Sequence, residues 1–121
     1  MIKFGSPCDG WLDLHIDINS NWTTFSISDV GPNSVVQFSR VLDWLANPLD
    51  SYRVYCNLEP ELLVLSFHLD SGFVTAEVEL DALNLGRASM SVYDFHVMFS
   101  EEIHVLLPSC KGKAWTSEVN T

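Results

Sequence analysis

The sequence predicts an α+β domain, an antiparallel sheet of about six strands in a meander with one main helix packed on one face. Three observations carry this expectation. Apolar and polar residues alternate over several short segments, the pattern of strands that bury one face and wet the other. One segment, Val35 to Leu45, instead spaces its apolar residues as a helix does. The breaks between segments are short and rich in Asn, Asp, Gly and Pro, which suits antiparallel neighbours rather than long parallel crossovers. At 121 residues and 47% hydrophobic content the chain has the length and the apolar stock for one core. A single domain over 1–121 is expected, with its core over about 11–107 and a loosely held tail at 108–121.

The elements follow in order. Leu12, Leu14, Ile16 and Ile18 alternate with Asp13, His15 and Asp17, the cleanest strand in the chain. Asn19 to Asn21 supply a turn, and Trp22 to Ser28 return with Phe25 and Ile27 on one side, completing an N-terminal hairpin. Gly31-Pro32-Asn33 stops the extended pattern. Ser34 and Gln37 have the spacing of a capping box, so a helix of about three turns is expected through Val35, Phe38, Val41, Leu42 and Leu45, ending at Asn47-Pro48.

Strands are then expected at Tyr52–Leu58, Leu62–Leu69, Phe73–Leu80 and Ser89–Phe99, with Asp81–Arg87 as a loop. At Asp70-Ser71-Gly72 two registers compete. A two-residue Ser71-Gly72 loop sets Leu63, Leu65, Phe67 and Leu69 opposite Leu80, Val78, Ala76 and Val74, whereas a three-residue loop puts Leu65 beside Glu77; the wholly apolar face favours the former. Ser100-Glu101-Glu102 reads as the start of a short helix to Leu107, stopped by Pro108.

Composition narrows the function. Sixteen carboxylates against six Lys and Arg give a formal net charge of −10. The cations Lys3, Arg40, Arg53, Arg87, Lys111 and Lys113 are scattered, and there is no Gly-rich loop followed by Lys. Direct nucleic-acid, nucleotide or anionic-lipid binding is therefore not expected, while a basic protein partner is. The same charge also serves solubility alone. Cys8, Cys56 and Cys110 form neither a disulfide framework nor a zinc motif, no leader-like or membrane-length apolar run is present, and the chain reads as cytoplasmic.

The residues with chemical potential are His/Asp pairs two apart: Asp13, His15 and Asp17; His68 and Asp70; Asp94 and His96. On strands, such pairs project from one face and have metal-ligand or acid/base chemistry, so a small metal- or ligand-binding protein, an enzyme included, is the alternative reading. The simpler reading is a solvated strand face, as it is for Glu77 and Glu79. No nucleophile elbow is present, and Cys56 sits in an apolar strand pattern; no catalytic residue, metal or cofactor is assigned, and an enzyme is not expected. Most aromatic residues fit core positions, but Trp11 shares the parity of Asp13, His15 and Asp17, and Trp ringed by acids suits an interface. The candidate partner-binding residues are Trp11, Asp13, His15, Asp17, Glu77, Glu79, Asp94 and His96, nominated on electrostatic grounds as one wet outer face.

The pattern Phe38-x-x-Val41-Leu42-x-x-Leu45, then a strand, then the run Leu63-Val64-Leu65-Ser66-Phe67-His68-Leu69-Asp70-Ser71-Gly72-Phe73-Val74-Thr75-Ala76-Glu77-Val78-Glu79-Leu80 resembles a group of small acidic bacterial proteins. These are immunity proteins for polymorphic contact-dependent toxins, of the kind paired with the wall-associated WapI toxin. The similarity spans about Leu12 to Leu107. The chain departs from that group at Phe73, where a His often follows the turn glycine, and in the shorter C-terminal helix over Glu101–Leu107. The resemblance implies a non-enzymatic protein that binds a cognate toxin domain, often a nuclease with a basic active site, and blocks it.

Overall fold

A computed structural model describes residues 1–110 and Trp115. In chain order its elements are β1 (Ile2–Phe4), β2 (Trp11–Ile18), β3 (Asn21–Ser28), α1 (Ser34–Ser39), α2 (Val41–Ala46), β4 (Tyr52–Asn57), β5 (Leu62–Asp70), β6 (Phe73–Leu80), β7 (Leu83–Ser91) and α3 (Val92–Ser109). The class is α+β and the pairing antiparallel, in agreement with the alternation. The expected single sheet is instead two: β1-β2-β3 and β4-β5-β6-β7. The chain leaves the first sheet through α1 and α2, so β3 and β4 meet without laddering, held by Asn57 Nδ2 donating to Val30 O at 2.8 Å.

Three hairpins close on two-residue loops, Asn19-Ser20, Ser71-Gly72 and Asp81-Ala82, each with positive φ at both positions. That is the turn whose twist matches the flanking strands. In the second hairpin Leu63, Leu65, Phe67 and Leu69 lie opposite Leu80, Val78, Ala76 and Val74, the register that the apolar pattern selects. The third hairpin corrects the reading of Asp81–Arg87 as a loop. Its return strand β7 is irregular, with Val78 opposite Gly86 but Glu79 opposite Asn84, so Leu85 bulges. A Cβ on Gly86 would lie 2.4 Å from Asn19 Nδ2. Glycine at this position, with φ +128°, leaves room for the Asn19 side chain, and Asn19 N–H donates to Arg87 O at 2.9 Å, one of the bonds between the two sheets.

The helices differ most from expectation. The Val35–Leu45 stripe forms two six-residue helices rather than one. Ser39 Oγ donates to Val36 O at 2.6 Å, a back-bond that bends helices, and the break falls at Arg40. The capping box does not form: Asn33 Oδ1 accepts from Val36 N–H, while Ser34 and Gln37 turn to β4. The main helix is α3, with 18 residues, capped by Ser91 Oγ accepting from Asp94 N–H. Ser89–Phe99 is therefore not a strand beyond Ser91. The helical spacing Phe95, Phe99, Ile103 and Leu106 is what α3 buries.

Those residues form the centre of the core. The Phe95 and Phe99 rings stack at 5.1 Å, Phe67 from β5 meets both edge-on, and Phe99 also contacts Phe4 from β1 and Phe38 from α1. One helix thus seals both sheets, and a single cluster of buried residues runs from Ile2 to Trp115. Trp115 is 1% exposed, and α3 carries through Pro108 to Ser109; the remainder of the expected loose tail, 111–114 and 116–121, lies outside the described residues. Among the described residues no helix is long and apolar enough to cross a membrane.

Candidate functional site

The site is built on the outer face of the β1-β2-β3 sheet. Strict alternation in β2 buries Leu12, Leu14, Ile16 and Ile18 and leaves Trp11, Asp13, His15 and Asp17 outward. Register adds the neighbours: Lys3 of β1 lies opposite His15, and Ser28, Ser26, Thr24 and Trp22 of β3 lie opposite Trp11, Asp13, His15 and Asp17. The polar groups hold one another. Ser26 Oγ donates to Asp13 Oδ1 at 2.8 Å, and His15 Nδ1 lies 2.7 Å from Thr24 Oγ1. Lys3 Nζ stands 5.4 Å from the centre of the Trp22 ring, a cation–π contact across β2.

Trp11 is 41% exposed and Trp22 53%. They mark opposite ends of the face, with Asp13 and His15 between them and Asp17 beside Trp22. Asp17 Oδ1 is buried and has no hydrogen-bond partner. Burial lowers the pKa of the Met1 ammonium from its ordinary value, and the nearby Asp17 carboxylate opposes that shift. Both carboxylates on the face keep acceptor capacity, since Asp13 spends only Oδ1 on Ser26.

The other nominated residues are not gathered here. Glu77 and Glu79 are half-buried on the outer face of the other sheet; Glu77 lies between Ser66 and Arg87 in register, Glu79 between Val64 and Asn84. With Arg53 opposite Ser66, the strand-to-strand row reads Arg53, Ser66, Glu77, Arg87, so that face is of mixed sign rather than anionic. Asp94 and His96 do not share a strand face: they belong to α3, where two residues at about 100° apiece diverge by roughly 200°. His96 instead lines an apolar groove of about 550 Å³ with Leu42, Leu45, Ala46, Val92 and Tyr93.

Metal chemistry gains nothing from this arrangement. Among the described residues no group of three or more His, Cys, Asp or Glu is placed to hold an ion. His68 and Asp70 stand on the outer face of β5, where His68 Nε2 is buried without a partner. The Cys56 thiol is pushed up to about 12 by burial, with a Ser34 hydrogen bond opposing, which makes it an inert core group.

Sequence reasoning missed Trp22, Lys3, Thr24 and Ser26. The first, third and fourth were within reach, since placing Phe25 and Ile27 inward fixes Trp22, Thr24 and Ser26 outward. Lys3 was not, because a three-residue strand carries too little alternation to be seen. Comparison with protein-family models, curated proteins and solved structures finds no match to the chain.

Proposed function

We propose that the protein is an immunity protein, which binds a basic toxin domain in the cytoplasm of the producing bacterium and neutralises it by occupying the toxin's surface. The observation that carries this reading is the outer face of the β1-β2-β3 sheet, where two exposed tryptophans flank Asp13 and Asp17 on a rigid scaffold, in a chain of net charge −10. Trp is among the residues most enriched at binding hot spots. Lys3, held over the Trp22 ring, and the Met1 ammonium near Asp17 share this side of the molecule, so it is the net charge of −10 as a whole, with Asp13 and Asp17 beside the tryptophans, that favours a cationic partner over an anionic one.

The test is genetic and then biochemical. If a large gene lies directly upstream, its C-terminal domain expressed alone should arrest growth, and co-expression of this protein should restore it and yield a complex. The Trp22→Ala and Asp13→Asn/Asp17→Asn variants should weaken that complex, with the charge variants acting mainly through the association rate. A metabolic neighbourhood with no toxic product, or a complex indifferent to all three substitutions, would overturn the reading.

A further inference from the structure

Among the described residues four strands, β1, β3, β4 and β7, lie at sheet edges. Exposed edges are templates for pairing with another chain, and three of these four are plugged by the protein's own groups. On β1, Phe4 N–H donates to Glu102 Oε1 of α3 at 2.9 Å. On β4, Gln37 acts as a one-residue neighbouring strand: Tyr55 N–H donates to its Oε1 at 2.7 Å, while its Nε2, together with Ser34 Oγ, donates to Tyr55 O. On β7, Asn19 clamps Arg87 in the same manner, with its N–H donating to Arg87 O and its Oδ1 accepting from Arg87 N–H at 3.2 Å.

The fourth edge, β3, meets β4 without laddering and is otherwise left open. The two-residue loop makes Ile18 and Asn21 a hydrogen-bonded pair, and pairs alternate from there, so Trp22, Thr24 and Ser26 turn their N–H and C=O groups away from β2. The opposite side of β2 agrees: Asp17 N–H donates to Met1 O, and Asp13 O accepts from Gly5 N–H, so these residues spend their backbone groups on β1. Among the described residues no group plugs Trp22, Thr24 or Ser26, and all three are exposed. The edge has none of the usual protections, for Asn21–Ser28 contains no charge and no proline and pairs with β2 one to one without a bulge.

We propose that the β3 edge is the place where the partner adds a strand, and that the added strand carries Lys or Arg at alternate positions. This deepens the proposed function and rests on its choice of the β1-β2-β3 face as the partner surface. The charge pattern selects the occupant. A strand added to β3 lies about 4.8 Å from it and about 10 Å from β2, so its outward side chains pass over Trp22 and Ser26 to reach Asp17 and Asp13. Long cationic stems span that gap and end at carboxylates. A second copy of this chain would add its own β3, which carries no charge to meet Asp13 and Asp17, while its carboxylates would stand a strand further out, about 14 Å from these.

The full chain, amide hydrogen exchange and a short peptide of alternating Lys and Val test this at low ionic strength. The peptide should slow exchange of the Trp22, Thr24 and Ser26 amides about tenfold or more, and a Glu-for-Lys version of it should not. Thr24→Pro removes an edge donor without touching the β2 ladder and should abolish the protection of Trp22 and Ser26. The Asp13→Asn/Asp17→Asn variant, which leaves the backbone alone, should reduce the Lys peptide's effect to that of the Glu peptide. No protection by the Lys peptide, equal protection by both peptides, or protection that grows with protein concentration alongside a dimer mass would each overturn the proposal. A toxin complex that leaves these three amides unchanged defeats strand addition but not immunity; Lys-peptide addition in a chain that fails to rescue growth defeats immunity but not the edge.

Discussion

Ala82 takes φ 67° in the β6–β7 loop, where neighbouring hairpin loops place Ser20 and Gly72. The left-handed conformation costs a residue with a plain Cβ on the order of 1 kcal/mol that glycine avoids, partly offset by glycine's greater freedom when unfolded. Ala82→Gly is therefore expected to stabilise the protein by about 0.5 kcal/mol, read as a higher urea midpoint at an unchanged slope; a lower midpoint would show the loop to be held differently. Cys56 makes a second prediction at this scale. Its thiol is raised by burial from an ordinary value near 9 to about 12, so between those values the unfolded chain has lost a proton that the folded chain keeps. Stability from this group is whole below about pH 9 and declines as pH rises through that window, by about 2 kcal/mol at about pH 10.5. Urea midpoints at pH 8 and 10.5 should show that drop in the parent and a clearly smaller one in Cys56→Ala, since the Tyr52 hydroxyl, also raised by burial, remains. Single residues were also where the sequence misled. Ser34 and Gln37 have capping-box spacing, but spacing cannot reveal that a strand edge eighteen or more residues away competes for the same side chains.

Elements were legible where one period was unopposed. The β5–β6 register follows from apolar parity because a one-residue slip would turn Glu77 and Glu79 into the core. The Ser89–Phe99 stretch carries two periods at once: Tyr93, Phe95, Val97 and Phe99 alternate as a strand does, while Phe95, Phe99, Ile103 and Leu106 recur as a helix does. Exposure decides between them, for Tyr93 and Val97 are solvent-facing and the helical set is buried. The longer period needed the residues beyond Phe99 to become visible, and β7 was hidden because Asn84, Gly86 and a bulge imitate a loop. The candidate site was half legible: Trp11, Asp13, His15 and Asp17 share a face as alternation requires, but which separate strands join them is tertiary information. The plugged edge makes a prediction at this scale. Gln37→Ala deletes the acceptor of Tyr55 N–H and should cost about 1 kcal/mol. It should also expose β4 as a second open edge, seen as faster exchange of the Tyr55 amide; an unchanged Tyr55 amide would mean that α1 covers the strand by bulk alone.

For the whole molecule the decisive quantity is an imbalance of charge held on one folded body. With net charge −10, the folded state concentrates carboxylates that the unfolded chain spreads apart, so self-repulsion works against compactness. Local pairing offers little relief: Lys3 is engaged by the Trp22 ring, and Glu77 faces Arg87 across a solvated sheet surface where ion pairs contribute little. Salt shortens the reach of repulsion from about 30 Å at 0.01 M to about 8 Å at 0.15 M. The melting temperature should therefore rise over that range, whereas a protein held by ion pairs would lose stability. Affinity for a basic partner should move the other way, because the attraction between Asp13, Asp17 and incoming cations is screened by the same ions. Thermal melts and partner titrations over one salt series measure both slopes. Opposite signs are the signature of an anionic surface that is costly to the free protein and useful only in a complex; two slopes of the same sign would assign the carboxylates to solubility and remove the electrostatic ground for the docking face.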